Sequence, residues 1–260
     1  FAINVNAMGK EHPFNINYYN SIGKTYFKMD LYNEALKYHK NAEKLTLKLF
    51  GKNHSNLINT YDHFGNVYSN LGYYDSALLY FRKSMAVCRQ LYSEESHLTK
   101  SKYKNFGQVY AKSGLHKDAI SNYQEALNEM LKEFGTKDPK IAGIYYQIAE
   151  AYGQLHMYDD ALKYYQLSLK SNIIDFDETD IFKKSTRKGA LDNIGLLKAL
   201  FGKAQVIQKT TDSRSDLIKN KASLKLLMVC DSIIDEMRFS LINNADRIIL
   251  SQWTVSIYKY

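Results

Sequence analysis

Amide and amino side chains recur at regular intervals on what we predict to be successive helices, and these groups could bind a peptide. Asn and Gln amides donate to and accept from an extended peptide backbone whatever its side chains are, and Lys adds a preference for carboxylates. The candidate positions, in chain order, are Asn20, Lys24 and Lys28; Asp62, Asn66 and Asn70; Lys104, Gln108 and Lys112; and Tyr146, Glu150 and Gln154. One further position holds Ser21, His63, Asn105 and Gln147. Asp62 and Glu150 interrupt the positive surface, and simple solvation of a helix face is the alternative interpretation.

The other reactive residue types have no spacing that indicates catalysis or metal binding. The histidines form no HExxH motif, no histidine pair and no Cys–His pattern. Gly23-Lys24-Thr25 resembles the end of a P-loop, but Tyr18 stands where that motif requires its first glycine. Cys88 and Cys230 are flanked by apolar residues, which predicts small core side chains. We therefore predict no enzyme activity, no cofactor and no metal site.

The elements that position these side chains repeat every 42 residues. The repeated small residues are Gly23, Gly65, Gly107 and Ala149 in one position and Ala35, Ala77, Ala119 and Ala161 in another. The repeated tyrosines are Tyr26, Tyr68, Tyr110 and Tyr152. Small residues are required where two helices cross at close range, so these positions predict helix crossings. A fixed period of this size is typical of a stacked repeat array.

Each unit is predicted to contain two antiparallel helices, which in the first unit cover about Asn15–Met29 and Tyr32–Phe50. We call the first helix of a unit helix A and the second helix B. The turn between them is predicted to end helix A with a left-handed residue. That position holds Asp30, Gly72, Gly114 and His156. Pro13 and Pro139 lie three periods apart and mark the same turn between units.

The run Tyr61-Asp62-His63-Phe64-Gly65-Asn66-Val67-Tyr68, followed by Gly72-Tyr73-Tyr74-Asp75-Ser76-Ala77, resembles the tetratricopeptide repeat. That repeat usually has about 34 residues, so helix B and the turn after it are longer here. The turn Phe50-Gly51-Lys52-Asn53-His54 is similar to that of kinesin light chains and many bacterial members. The resemblance covers roughly residues 1–172 and implies an all-α, right-handed superhelical solenoid of antiparallel helix pairs. It also implies that helix A lines a concave groove, where the family's carboxylate clamp uses Lys and Asn.

Five segments are predicted along the chain. Residues 1–14 end a preceding repeat, 15–172 form four 42-residue units, 173–186 form a loop, 187–242 form a degenerate fifth helix pair, and 243–260 start a further helix. Leu191-Asp192-Asn193-Ile194-Gly195 matches Tyr61-Asp62-His63-Phe64-Gly65, which places Gly195 at the small-residue position of the fifth unit.

The end of the chain resembles helices that join such repeats to a caspase-like (CHAT) protease domain in bacterial proteins. The residues that carry this resemblance are Ile234-Asp235-Glu236-Met237-Arg238 and Ala245-Asp246-Arg247-Ile248. It implies a sensor or regulatory arm for a covalently linked C-terminal protease outside these residues, and the sequence that follows Tyr260 tests it. No catalytic residue of that family maps onto this sequence.

Composition narrows the choice of partner. The net charge of +8 is spread over many helix faces without a dense basic run, and the periodic tyrosines have a packing role, so both disfavour nucleic acid. No apolar stretch reaches the roughly 18 residues that a membrane span needs, and no signal peptide is visible, which favours a soluble cytoplasmic protein. The sequence is interpreted as a fragment, which allows for targeting signals that were removed. We predict a non-catalytic scaffold that binds a peptide or protein segment in the helix A groove.

Overall fold

The computed structural model describes residue 9 and residues 11–174, 190–210 and 216–240, with side chains to residue 237. The chain divides into two compact units, Phe1–Glu129 and Met130–Tyr260. Most of the predicted loop at 173–186, and all of the predicted helix at 243–260, lie outside the described residues. Within the described residues, no helix combines the length and the apolarity needed to cross a membrane.

The described residues are almost entirely helical, as predicted. The first unit contains α1 (Phe14–Lys28), α2 (Tyr32–Phe50), α3 (Ser55–Asn70), α4 (Tyr74–Tyr92), α5 (His97–Lys100) and α6 (Tyr103–Lys112). Helix α7 (His116–Phe134) spans the division between the units. The second unit contains α8 (Pro139–Gln154), α9 (Tyr158–Asn172), α10 (Asn193–Lys209) and α11 (Asp216–Ser240). Helix A and helix B pack together in the pairs α1 with α2, α3 with α4, and α8 with α9.

The four turns between helix A and helix B within residues 15–172 are Schellman motifs. The residue after the helix has a positive φ in all four turns: 58° at Asp30, 79° at Gly72, 83° at Gly114 and 59° at His156. The next amide N–H donates to the carbonyl five residues earlier: Leu31 to Tyr26, Tyr73 to Tyr68, Leu115 to Tyr110 and Met157 to Tyr152. The predicted left-handed position is confirmed. In three units the repeated tyrosine also stacks on a tyrosine of helix B: Tyr26 on Tyr38, Tyr68 on Tyr80 and Tyr152 on Tyr164.

Asp30 and His156 adopt this backbone without the freedom of glycine. In both turns the side chain bonds to the hydroxyl of the tyrosine two residues later: Tyr32 donates to Asp30 Oδ1 at 2.7 Å, and His156 Nδ1 lies 2.8 Å from the Tyr158 oxygen. A polar side chain with a local partner is the usual substitute for glycine in the left-handed region. The two exceptions in the sequence pattern therefore keep the same turn.

Helices α3, α5 and α8 each begin with a side-chain cap at a matching position. His54, Ser96 and Asp138 follow one another at 42-residue intervals, and each accepts a hydrogen bond from the backbone N–H two residues later. Asp192 caps α10 in the same way and accepts from two N–H groups, those of Ile194 and Gly195. Such caps satisfy backbone donors that the helix itself leaves unpaired.

Glycines allow helix B to lie directly on helix A. A Cβ atom on Gly23 would lie 2.5 Å from the His39 ring, one on Gly65 would lie 2.6 Å from the Phe81 ring, and one on Gly107 would lie 2.6 Å from the Tyr123 ring. In all three pairs the glycine and the ring residue are the same number of residues apart in the sequence. The rings are buried, so they fill the space beside the glycine and connect the two helices.

The fifth helix pair does not follow the predicted register. Asp192 caps α10, which places Gly195 in the first turn, where an added Cβ would meet the Asp192 side chain. Gly195 therefore does not occupy a crossing with the following helix, because α10 begins only at Asn193. The close approach on α10 is instead to α9, at Gly202, where an added Cβ would lie 2.6 Å from the Tyr165 ring.

The turn between the second and third repeats is strained. The turns between repeats place Gly9, Gly51, Ser93 and Gly135 at 42-residue intervals, all with a positive φ. At Ser93 φ is 75° and ψ is 165°, a region that is essentially restricted to glycine. We expect Ser93→Gly to raise the free energy of unfolding by about 1 kcal/mol, measured by urea unfolding with circular dichroism.

Ser101→Gly is the matched control for that prediction. Ser101 has a φ of −59°, which suits serine, so glycine there should lower the free energy of unfolding by about 0.5 kcal/mol. Destabilisation of similar size by both substitutions would contradict the strain at Ser93.

Candidate functional site

Two stacked histidines lie beside several of the predicted helix A positions in the first unit. His39 on α2 and His63 on α3 have ring centroids 4.8 Å apart and planes inclined by 24°. His39 is almost fully buried, and its Nδ1 lies 3.0 Å from Asn20 Oδ1. Because that oxygen can only accept, Nδ1 carries the proton and donates it to Asn20. Asn20 therefore fixes the orientation of the His39 ring, on which the His63 ring stacks.

The amide of Asn20 joins three helices. Its Nδ2 donates to Thr60 Oγ1 at 2.9 Å, and Thr60 in turn donates to the Asn56 carbonyl at 2.9 Å. The register places Asn20 among the exposed positions, but its side chain is buried because both ends of the amide bond to neighbouring helices. Asn20 consequently supports the histidine pair and does not itself face solvent.

Burial keeps both rings uncharged at neutral pH. Desolvation lowers the pKa of His39 to about 3, and the neighbouring His63 adds to this effect. Desolvation also lowers the pKa of His63, against the opposing influence of Asp62 and with the support of the positive charges on Lys24 and Lys102. A neutral imidazole can present both a donor and an acceptor, which suits contact with a peptide backbone.

A cavity of about 170 Å³ opens beside this pair. Its lining consists of Lys24, Phe27, Lys28, His39, His63 and Asn66. Four of these residues, all but Phe27 and His39, are among the predicted groove positions, and the structure brings them together from α1 and α3. Lys24 and Lys28 are exposed and Asn66 is half-buried, so two cations and an amide border the opening.

The predicted residues on α3 and α6 bind one another. Asp62 forms an ion pair with Lys102 and accepts from Asn105 Nδ2 at 3.3 Å. Lys112 Nζ donates to Asn70 Oδ1 at 2.5 Å. Lys104 and Gln108 are half-buried on α6. Because Lys102 compensates Asp62, this carboxylate adds little net negative charge to the face.

The predicted residues of the second unit form a separate cluster. Glu150 accepts hydrogen bonds from the hydroxyls of Tyr165 and Tyr146, and desolvation raises the pKa of its carboxyl group. Glu150 is therefore partly buried and bonded, although the register predicts it to be exposed. Gln147 Oε1 is buried without a hydrogen-bond partner among the described residues. Tyr146 packs against Tyr165 with ring centroids 6.1 Å apart.

Two residues of the site, His39 and Lys102, were not predicted from the sequence. The ring at the His39 position has a signal in the sequence, because rings recur there at 42-residue intervals, as His39, Phe81, Tyr123 and Tyr165. Lys102 has no such signal, because Tyr18, Thr60 and Ile144 occupy its position in the other units. Among the described residues, no group of three or more His, Cys, Asp or Glu side chains is arranged to hold a metal ion.

The comparison with known families gives a specific match. The model of the tetratricopeptide repeat matches residues 11–90 and 98–172, which is more than half of the chain. No curated protein matches the sequence.

Solved structures show the same fold at low sequence identity. BtubC (BKLC) from P. vanneervenii superposes with a TM-score of 0.67 at 14% identity, over 88% of this chain and 83% of that one. A kinesin light chain of Podosopora anserina with nearly identical TPR-like repeats gives 0.63 at 13% identity, over 87% and 98%. MamA gives 0.50 at 14% identity, over 88% and 97%. The chain belongs to the tetratricopeptide-repeat family.

Proposed function

We propose that the first unit binds an extended peptide on the helix A side chains of α1, α3 and α6. The observation that carries the proposal is the cavity beside the stacked histidines, which Lys24, Lys28, His63 and Asn66 border from two helices. Repeat scaffolds present such surfaces for protein interaction, so a protein or peptide partner is the function class that the family supports.

The charges of this surface favour a peptide with carboxylates. Lys24 and Lys28 project from successive turns of α1 and are exposed. The one carboxylate on α3 that would repel an acidic peptide, Asp62, is already paired with Lys102. Amides at Asn66 and Gln108 offer both donors and acceptors to a peptide backbone. The preferred ligand is thus an acidic, extended segment.

Capture of peptides from a phage-displayed random library tests the proposal. The combined variant Asn66→Ala, Lys104→Ala and Gln108→Ala should lose capture by at least about tenfold, because each truncated contact contributes on the order of 1 kcal/mol. The selected peptides should be enriched in Asp and Glu.

A variant with the same residue types on helix B serves as the control. Asn41, Lys44 and Gln90 are exposed on α2 and α4, and their replacement by alanine should leave capture unchanged. Equal loss in both variants, or unchanged capture in the helix A variant while circular dichroism shows an intact array, would contradict the assignment.

A regulatory role towards a covalently linked caspase-like protease is a second proposal. It rests on residues Ile234 to Arg238 of α11, where Ile234 and Met237 are buried and Asp235 and Glu236 are exposed. The sequence after Tyr260 tests it: a His–Cys protease domain supports this role, and a stop codon rejects it.

A further inference from the structure

The turns between helix A and helix B form a second surface, separate from the helix A face. We infer that the first unit binds an arginine-bearing peptide in a groove at this turn edge. We call it the turn-edge groove and define it by Tyr73, Asp75, Leu78, Tyr110 and Leu115. It encloses about 450 Å³, a volume within the range of about 300 to 1,000 Å³ that ligand sites occupy.

The groove is lined by both half-buried and exposed side chains. Leu78 on α4 and Tyr110 on α6 are half-buried lining residues. Tyr73 is 61% exposed and Leu115 is 51% exposed. Both belong to Schellman turns, but the contact of Tyr73 with Tyr68, at 6.5 Å between ring centroids, covers only part of its ring. More than half of the Tyr73 surface therefore remains open to a partner.

A carboxylate without a partner defines the charge of the ligand. Asp75 lies in the first turn of α4, is exposed, and makes no hydrogen bond or ion pair with any described residue. Its position near a helix N-terminus stabilises the helix in any case, so the carboxylate alone does not indicate a site. Because Asp75 and the exposed Tyr73 ring line the same groove, one ligand has both a charged and an aromatic contact available to it.

Arginine matches this combination better than any other side chain. Its guanidinium can pair with the Asp75 carboxylate through two parallel hydrogen bonds and can stack on the Tyr73 ring. Its methylene stem, and an apolar neighbour in the peptide, would cover Leu78 and Leu115. Lysine offers neither the planar pairing nor the stacking, so it should bind more weakly. The charge preference is opposite to that of the proposed helix A surface, which favours carboxylates.

Fluorescence anisotropy with a fluorescein-labelled hexapeptide of alternating arginine and leucine tests the inference. We expect saturable binding that Asp75→Asn and Tyr73→Ser each weaken by about tenfold, since a charge-assisted pair and a stacked cation contribute on the order of 1 to 2 kcal/mol. The same peptide with lysine in place of arginine should bind at least about threefold more weakly, and the glutamate version should not compete. Both altered residues are exposed, so the variants should remain folded by circular dichroism, with the unfolding midpoint lowered only slightly by loss of the Asp75 charge at the helix N-terminus or of the Tyr73–Tyr68 contact.

Two controls distinguish the turn-edge groove from other surfaces. Asp159 occupies the position of Asp75 two periods later, and Asp159→Asn should leave the affinity unchanged. The helix A variant Asn66→Ala, Lys104→Ala and Gln108→Ala should also bind the arginine peptide normally, whether or not the proposed function holds. The inference is overturned if Asp75→Asn or Tyr73→Ser retains full affinity, or if Asp159→Asn or the helix A variant loses as much.

Discussion

Replacement of Gly65 by alanine should destabilise the first unit by about 2 kcal/mol, although alanine is the better helix former. The new methyl group would lie 2.6 Å from Phe81 Cε1 and 2.7 Å from Cζ. Phe81 is 2% exposed and packs against Phe106, Met85 and their neighbours, so its ring cannot move without disturbing the core. Overpacking of this kind costs about 1 to 3 kcal/mol, which exceeds the helix propensity gained. The measurement is the midpoint of urea unfolding followed by circular dichroism.

Two further variants show whether the clash is the cause. Gly143 is exposed on α8 with no atom within 4 Å of an added Cβ, so Gly143→Ala should stabilise the helix by up to about 1 kcal/mol. The double variant Gly65→Ala, Phe81→Leu should lose less free energy of unfolding than the two single variants lose in sum. The reason is that the alanine methyl group would enter the space that the ring leaves. Additive effects would argue against direct contact.

Acid should destabilise the first unit through His39. Burial lowers the pKa of His39 from 6.5 to about 3, so the folded state keeps the ring neutral while the unfolded chain binds a proton as the pH falls below 6.5. His39 therefore has no effect on the free energy of unfolding above pH 6.5. Below pH 6.5 it lowers the free energy of unfolding by up to roughly 1.4 kcal/mol for each pH unit. The groups around the ring do not reverse this, because His63 is also disfavoured as a cation and Asn20 is neutral.

His39→Phe should remove this part of the acid sensitivity. Phenylalanine is the residue that the second repeat places at this position, as Phe81, so the packing against Gly23 is preserved in kind. The measurement is the unfolding midpoint in urea at a series of pH values from neutral down to about pH 4. His156→Gly, at an exposed turn position, should keep the acid sensitivity of the unchanged protein. If His39→Phe and the unchanged protein lose stability in parallel, His39 is not the group responsible.

Local features of the chain were predictable because each depends on residues close in sequence. The left-handed turn at Gly72 and Gly114 follows from the freedom of glycine, and the period extends it to Asp30 and His156. The bounds of α2 agree with the prediction because its start and end are set by neighbouring turn residues. Gly195 was placed incorrectly because a local match of five residues ignored the cap at Asp192, which decides where α10 begins.

The candidate surface was predictable only in part. The period correctly places Lys24, Lys28 and Asn66 on helix A, and the structure brings them to one cavity. The period does not predict that Asn20 is buried. The burial of Asn20 depends on the Thr60 hydroxyl of the next helix A and on the His39 ring of helix B. Lys102 was missed because its ion pair with Asp62 joins two repeats at a position with no periodic residue type.

The sequence by itself determined the family, the helix pairs and the turns, because a 42-residue period repeats the same short-range interactions in every unit. Only the tertiary structure decided which polar residues are available to a partner. Exposure depends on what the neighbouring helix places beside each side chain, and those neighbours differ among repeats that are otherwise alike: His39 beside Asn20, Lys102 beside Asp62 and Tyr165 beside Glu150. The repeats therefore share one fold, while the surface of each is set by residues that do not repeat.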